Sequence, residues 1–468
     1  MKIYHVSAEC YPIAKVGGLA DVVGSLPKYQ KSSTIVSQVV MPFYNNDFRR
    51  NNKFSVLHES KITIGDSDFE CRILTLKNNN LGFDLFLVDV PKLLFKDFVY
   101  SNNDTIRFLA FQIGFLDWML TQNEKPSIIH CHDHHTGLIP FMMTQSYKYQ
   151  SLKNIPTVLT IHNAQYQGWF SHDIINVIPE FNFAKVGLLD WGGVINPLAA
   201  AIKCAWRVTT VSPSYMEELK IKANGLENLL NHESKKCVGI LNGIDTEVWN
   251  PENDSYIVKN YKSSTIQSGK KTNKKWLCKH FNLDEKKPMV AFIGRLVGEK
   301  GSDLFPVSFR NILKEKSCTI LLLGSGHKEI EDELKALKPN FIREYNVFIG
   351  YDEKLSHIIY AGADFLLMPS RVEPCGLNQM YSLRYGTVPI VRNVGGLKDT
   401  ITDIDQIGGF GICHERTTVQ QIVDAVGRSI KLFNDDPKFK KIRKKIMSID
   451  HSWSASANEY IKLYKSLK

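Results

Sequence analysis

Short apolar runs alternate with segments of helical periodicity along most of the 468 residues. The first series of runs is Lys2–Ala8, Thr34–Met41, Ile128–His132, Thr157–Ile161, Arg207–Val211 and Cys237–Leu241. A second series follows at Pro288–Gly294, Thr319–Leu323, Asn346–Ile349, Phe365–Met368 and Thr387–Val391. Runs this short and this continuously apolar are the mark of strands buried on both faces of a parallel sheet. Leu19, Val22, Val23 and Leu26 recur at helical spacing, which predicts a helix starting just after Gly17-Gly18. Strand, helix and strand repeated in this way predict an α/β chain of doubly wound sheets. The polar stretch from Trp249 to Lys287 separates the two series and reads as a crossing between domains, with a helical entry at about Lys270 to Phe281. Phe54–Val90 behaves differently. It alternates polar and apolar residues around Gly65-Asp66 and Asn78-Asn79-Asn80, which predicts antiparallel hairpins inserted into the first domain.

Composition narrows the function. Lys plus Arg is 58 against 48 Asp plus Glu, a formal balance of +10, which favours anionic ligands. The basic residues are scattered and no nucleic-acid-binding motif accompanies them, so no nucleic-acid partner is expected. The clusters Lys270-Lys271 with Lys274-Lys275, and Lys440 to Lys445, read as solvated faces. Nine cysteines without a Cys-x-x-Cys pair argue for a reducing compartment rather than a disulfide framework. The N-terminus does not read as a signal peptide and no apolar run has the length of a membrane span, so the expectation is a cytoplasmic enzyme with no membrane partner.

The stretch Ser370-Arg371-Val372-Glu373-Pro374-Cys375-Gly376-Leu377-Asn378 organises the chain. It joins the run ending at Met368 to a predicted helix, and so lies at the carboxyl end of a parallel strand, where open α/β sheets bind ligands. Amides of Cys375, Gly376 and Leu377 at the start of that helix could face an anion. Glu373 reads equally well as a sugar-binding carboxylate or as a helix cap. Near the N-terminus, Lys15-Val16-Gly17-Gly18-Leu19 sets a mobile cation and two glycines before a helix, a combination that suits a phosphate. Arg295 and Lys300 flank a glycine-bearing loop and could grip a diphosphate from two directions, or simply form a solvated pair. The run His130-Cys131-His132-Asp133-His134-His135 brings metal binding into question, but strand alternation sends neighbouring side chains to opposite faces, and no metal is expected.

Taken together, Lys15-Val16-Gly17-Gly18-Leu19 and Glu373-Pro374-Cys375-Gly376-Leu377 resemble the signatures of bacterial glycogen synthases and plant starch synthases. The resemblance extends through His162-Asn163-Ala164-Gln165-Tyr166-Gln167-Gly168, Asn242-Gly243-Ile244-Asp245 and Arg295-Leu296 to Lys300-Gly301, essentially the whole chain. It implies a GT-B type fold, two Rossmann-like domains facing across a deep cleft. The first domain would span residues 1–248 and the second 249–450, with a helix in 451–468 crossing back to the first. It further implies a retaining glucosyltransferase, without a cofactor, that moves glucose from ADP-glucose, or from UDP-glucose, to the non-reducing 4-hydroxyl of glycogen or another α-1,4-glucan. In that reading Glu373, His162, Arg295 and Lys300 are catalytic. Lys15, Gly17, Gly18, Asp21, Asn163, Asn242, Tyr351, Cys375, Gly376, Leu377 and Asn378 bind the donor, and Asp133 lies on the acceptor side. Asp21 has a competing reading as a helix N-terminal carboxylate. Two departures from the family pattern are Asn378, where threonine is usual, and His134, where tryptophan is usual. The Phe95-Lys96-Asp97-Phe98-Val99-Tyr100 stretch matches the family poorly. Competing readings are another sugar-nucleotide transferase of the same fold and an inactive glucan-binding protein.

Overall fold

Eleven strands build the first part of the chain: β1 (Lys2–Val6), β2 (Val36–Pro42), β3 (Phe54–Ile64), β4 (Ser67–Leu76), β5 (Asp84–Asp89), β6 (Ile128–His132), β7 (Thr157–Ile161), β8 (Asp190–Trp191), β9 (Val194–Ile195), β10 (Arg207–Thr210) and β11 (Cys237–Gly239). They are seen in a computed structural model that describes residues 1–467. All but β8 and β9, which form a separate ribbon, join one sheet in the order β11-β10-β7-β6-β1-β2-β5-β4-β3. Every residue of β6 and β7 is buried, His130, His132, Thr157 and Thr160 included, as in strands covered on both faces.

The antiparallel hairpins expected within the first domain form the edge of this sheet. β5 pairs parallel with β2, Gln38 opposite Asp84, and β4 and β3 follow antiparallel. The antiparallel pairing follows the alternation; the attachment to β2 is a non-local contact that alternation does not encode.

The later strands are β12 (Met289–Ile293), β13 (Thr319–Gly324), β14 (Tyr345–Ile349), β15 (Phe365–Met368), β16 (Val388–Arg392) and β17 (Ile412–His414). They form an all-parallel sheet in the order β14-β13-β12-β15-β16-β17. Its order reverses at β12, a topological switch point. The sequence did not announce β17, three residues set close after Gly408, Gly409 and Gly411.

The chain divides into two compact units. One contains Met1–Ile240 and the last helix, Trp453–Lys465, and the other is Leu241–Ser452. The division thus falls ahead of residue 248. Trp453, Ala457, Tyr460 and Tyr464, one face of that last helix, share a core with Val22 and Leu26 of the helix Gly18–Gln30 and with Ile3, Ile128 and Val158.

In the second unit the basic clusters are solvated only in part: Lys271, Lys275, Lys440, Lys441, Lys444 and Lys445 are exposed, whereas Lys270, Lys274 and Arg443 are buried. Within the helix Ile266–Phe281, Lys270 is 2% exposed. Its ammonium donates to the carbonyls of Tyr360 (3.0 Å), Ala361 (3.2 Å) and Tyr385 (3.2 Å) and to Thr387 Oγ1 (2.6 Å). Burial pushes its pKa well below the usual lysine value. Lys274, one turn on, pairs with Asp364 at 2.7 Å, and Arg443 from the other cluster completes that buried group. The helical period brings residues 270 and 274 to the inner face, and only their neighbours Lys271 and Lys275 are exposed.

Candidate functional site

In the first unit, three loops at the carboxyl ends of the adjacent strands β7, β6 and β1 carry the expected residues. After β1, Gly17 precedes the helix Gly18–Gln30, and an added Cβ at Gly17 or Gly18 would meet open space. Packing of the chain itself therefore does not demand glycine there. Lys15 is half exposed and pairs with Asp21 at 2.7 Å. Sequence reasoning missed Glu9, which organises this loop. Its buried carboxylate accepts from the amides of Val16 (2.5 Å) and Gly17 (2.9 Å) and from the Tyr100 hydroxyl (2.5 Å). On the loop expected to receive a phosphate, the Gly17 amide thus already has an anionic partner within the protein. Tyr100, from the stretch that matches the family poorly, also stacks on His135 at 4.8 Å. Beside Lys15 opens a cavity of about 520 Å3, lined by Ile13, Asn46, Asp97, Phe98 and Tyr100 among others.

After β6, Asp133 adopts φ 57°, a left-handed conformation that costs a residue with a Cβ on the order of 1–3 kcal/mol. The compensation is visible in its carboxylate, which accepts from the amide of His162 at 2.7 Å and from that of Asn163. It ties the β6 loop to the β7 loop. Burial pushes its pKa up to about 7 against the opposing pull of those amides. Asn163 Oδ1 accepts from the Gln165 amide at 2.9 Å, closing the turn after His162. His162 is half-buried, and its Nε2 lies 3.0 Å from His132 Nδ1.

His5, His130 and His132 bring their ring nitrogens close enough for a shared metal ion. Every one of those nitrogens already has a hydrogen-bond partner: Gln30, Tyr464, Thr160, His162, or each other. A metal would have to displace several of these, so the donor set fits a hydrogen-bonded chain better.

In the second unit, the loop after β15 holds Glu373, which is buried. Lys300, from the loop after β12, reaches both its oxygens at 2.7 and 2.6 Å, and Ser370 donates to Oε2 at 2.8 Å. Lys300 and Glu373 thus form one charged pair. Arg295 stands apart, 69% exposed at its side chain and only 3.4 Å from Glu299. Gly376 takes φ 71°, the left-handed turn into the helix Asn378–Arg384, which Leu377 precedes. Asn378 Nδ2 donates to the Ile293 carbonyl at 2.8 Å, tying this helix start to the end of β12. Cys375 is buried, which raises its thiol to about 12, and the Asn242 amide donates to it. It is a packing residue rather than a nucleophile. Asn242 is buried with its Oδ1 lacking a partner among the described residues. Tyr351, past the end of β14, is 82% exposed.

Gly395 and Gly396, after β16, buttress the Glu373 loop. Gly396 donates to the Glu373 carbonyl at 3.1 Å, and an added Cβ at these glycines would fall on the carbonyl oxygens of Glu373 and Cys375. The close approach of two backbones is what requires glycine here.

Residues 2–232 match the family of starch synthase catalytic domains, and residues 275–446 match the glycosyl transferases of group 1. The chain is 50% identical to a glycogen synthase of Flavobacterium johnsoniae, over 99% of this chain and 98% of that one. It is 36% identical to a glycogen synthase of Anoxybacillus flavithermus, over 100% and 98%. Its fold superimposes with a TM-score of 0.88 on the catalytic domain of starch synthase IV from Arabidopsis thaliana, solved bound to ADP and acarbose, at 31% identity over 100% and 99% of the two chains. A sucrose-phosphate synthase from Thermosynechococcus elongatus shares the fold alone, with a TM-score of 0.64 at 15% identity over 100% and 98%. With both signature loops at strand ends of two Rossmann-like sheets, and with relatives of this identity over the full length, the chain belongs to the glycogen and starch synthases, glycosyltransferases of the GT-B fold.

Proposed function

We propose that the protein transfers glucose, with retention of anomeric configuration, from ADP-glucose to the non-reducing 4-hydroxyl of an α-1,4-glucan such as glycogen. The observation that carries the reading is the Lys300–Glu373 pair at the ends of β12 and β15, with both carboxylate oxygens held by one cation. Breaking the bond to a nucleoside diphosphate releases negative charge on the leaving group while the sugar becomes cation-like. Lys300 and Arg295 answer the first, and Glu373, with His162, holds the hydroxyls of the second. Lys15, Gly17, Gly18 and Asp21 are assigned to the donor in the first unit. Asn242, Tyr351, Cys375, Gly376, Leu377 and Asn378 are assigned to it in the second, with Tyr351 stacking on the base. Asp133, through the turn it pins, shapes the acceptor side.

Front-face attack fits the carboxylates better than a covalent intermediate does. The Asp133 carboxylate is turned onto backbone amides, and that of Glu373 is capped by Lys300 and Ser370. ADP is preferred as the donor nucleotide because the Arabidopsis relative was solved with it. The site is assigned to a cytoplasmic enzyme; no helix among the described residues is long and apolar enough to cross a membrane.

The test mixes the enzyme with glycogen and ADP-glucose or UDP-glucose. It follows nucleoside diphosphate release and the anomer of the new linkage. Faster initial rates with ADP-glucose and an α-linked product are expected; a β-linked product removes retention, and a UDP-glucose preference removes the donor. Glu373→Ala and Lys15→Ala are each expected to lower turnover on the order of a hundredfold or more with the fold intact, the scale of losing one electrostatic stabiliser. Wild-type rates in either soluble variant would remove its assigned role.

A further inference from the structure

Behind His162 the first unit contains an unbroken chain of hydrogen-bonded side chains that the proposed transfer does not use. It starts at a fixed acceptor, the main-chain carbonyl of Leu159, to which Thr209 Oγ1 donates at 3.2 Å. A hydroxyl has one proton, so Thr209 accepts from Thr160 Oγ1, 2.6 Å away. Thr160 in turn accepts from Nε2–H of His130 at 2.6 Å. Nδ1 of that neutral ring accepts from the Tyr464 hydroxyl at 2.7 Å, and Tyr464 accepts from the Gln30 NH2 at 3.3 Å. The Gln30 carbonyl oxygen therefore faces Ser37 Oγ (2.7 Å) and Nε2–H of His5 (2.8 Å). His5 offers Nδ1 to Nε2–H of His132 at 3.1 Å, and His132 offers Nδ1 to Nε2–H of His162 at 3.0 Å.

Each ring carries a single proton, because burial depresses all four: His5 to about 4, His162 to about 3, and His130 and His132 well below the usual value. One other assignment satisfies the same links, with every proton moved to the opposite end. It takes the Thr209 proton from the Leu159 carbonyl and leaves the proton of the buried Ser37 hydroxyl without an acceptor among the described residues. Two anchors thus set one polarity for the whole chain.

We infer that Gln30, His5 and His132 are positioning residues of His162: the chain presets its imidazole as the Nε2–H tautomer and leaves Nδ1 as a pure hydrogen-bond acceptor for a sugar hydroxyl. Nδ1 has no partner among the described residues. The opposite polarity would present an N–H, which suits an anionic or carbonyl oxygen and rejects the hydroxyl proton. The inference rests on the assignment of His162 to the donor hexose.

The experiment labels the histidines of the full chain with 15N and records long-range proton–nitrogen spectra without substrate, with His162 identified by the loss of its signals in His162→Gln. A pyridine-type Nδ1 and a protonated Nε2 are expected at His162. The Thr209→Val, Ser37→Ala double variant removes both anchors and touches no residue assigned to substrate. It is expected to show a mixed or reversed tautomer at His162 and a kcat about tenfold lower, the worth of one hydrogen bond, with an unchanged KM for glucan. If the double variant does not fold, Ser37→Ala, which weakens the preference by one of the two anchors, is expected to show a smaller but detectable admixture of the other tautomer and a smaller fall in kcat. A wild-type His162 protonated at Nδ1, or an unchanged tautomer and kcat in the variants, would overturn the inference. The expected tautomer alongside full activity of His162→Ala would instead overturn only the contact with the hexose.

Discussion

Lowering the pH from 7.5 to 5 is expected to destabilise the first unit steeply, and the histidine chain sets the size of the effect. His5, His130, His132 and His162 are held neutral in the fold, His5 down to about 4 and His162 to about 3. Depressed folded values mean that their contribution is complete above the unfolded value, near 6.5, and is lost as pH falls towards the folded ones. At pH 5 an unfolded histidine is protonated roughly thirtyfold over, which costs the fold about 2 kcal/mol per ring. Four rings amount to about 8 kcal/mol after the small cost already present at pH 7.5. Asp133 acts in the opposite sense. Its folded value, raised to about 7, makes its contribution complete at low pH and lost as pH rises through 7, so acid returns about 2–3 kcal/mol. The histidines win, with a net loss of about 5 kcal/mol against a total stability on the order of 5–15. His134 and His135, also depressed by burial, add to the loss. Urea unfolding at a series of pH values, followed through the tryptophans, should give a slope of at least about 3–4 kcal/mol per pH unit near pH 5.5, the uptake of roughly 2.5 protons from the four rings less Asp133. A slope below that of about one proton would refute the account of neutral, buried rings.

Three further outcomes follow from the packing. Glu9→Gln keeps the volume but loses the charge that accepts two amides and a tyrosine hydroxyl, so a donor KM raised about tenfold, with a smaller change in kcat, is expected in steady-state assays. Gly396→Ala would press on the Cys375 carbonyl and move the Glu373 loop; turnover should drop on the order of a hundredfold while circular dichroism stays unchanged. Lys270→Met strips three carbonyls and a hydroxyl of their donor, and should lower the stability of the second unit by about 2–4 kcal/mol in urea titrations, without a specific effect on KM.

The parts legible in the sequence are those whose cause is local. Buried parallel strands show as largely apolar runs, and the loops after β1, β7, β12 and β15 carry glycines with polar or charged residues, a composition that marks turns. Pairings between distant segments were not legible. That the β3–β4 hairpin extends the edge of the sheet was not, because nothing in its alternation names β2 as the neighbour of β5. Lys270 and Lys274 read as solvent-facing because the carbonyls and the Asp364 carboxylate that receive them lie about ninety residues on. Glu9 is a single acid between Ala8 and Cys10, and only the fold brings the Val16 and Gly17 amides to it. The histidine chain depends on β1 and β6 pairing in the register that sets His5 against His130, a fact of the sheet.

The buried carboxylates on the candidate loops of the two units are held differently, and this bears on which loop would handle the leaving group in the proposed transfer. In the first unit Glu9 and Asp133 are turned onto backbone amides, so their charge is spent in holding loops and gives no nearby cation a second task. In the second, Glu373 faces Lys300, a cation whose ammonium has three protons and, among the described residues, donates only to the two oxygens of this one carboxylate. A diphosphate arriving at the β12 loop can therefore share Lys300 with Glu373 without breaking the pair, and Glu373 fixes where the shared cation stands. That coupling distinguishes the pair from two independent contacts. In a double-mutant cycle on kcat, Lys300→Met and Glu373→Gln should cost far less together than the sum of their separate losses, whereas additive losses would mean that each acts alone.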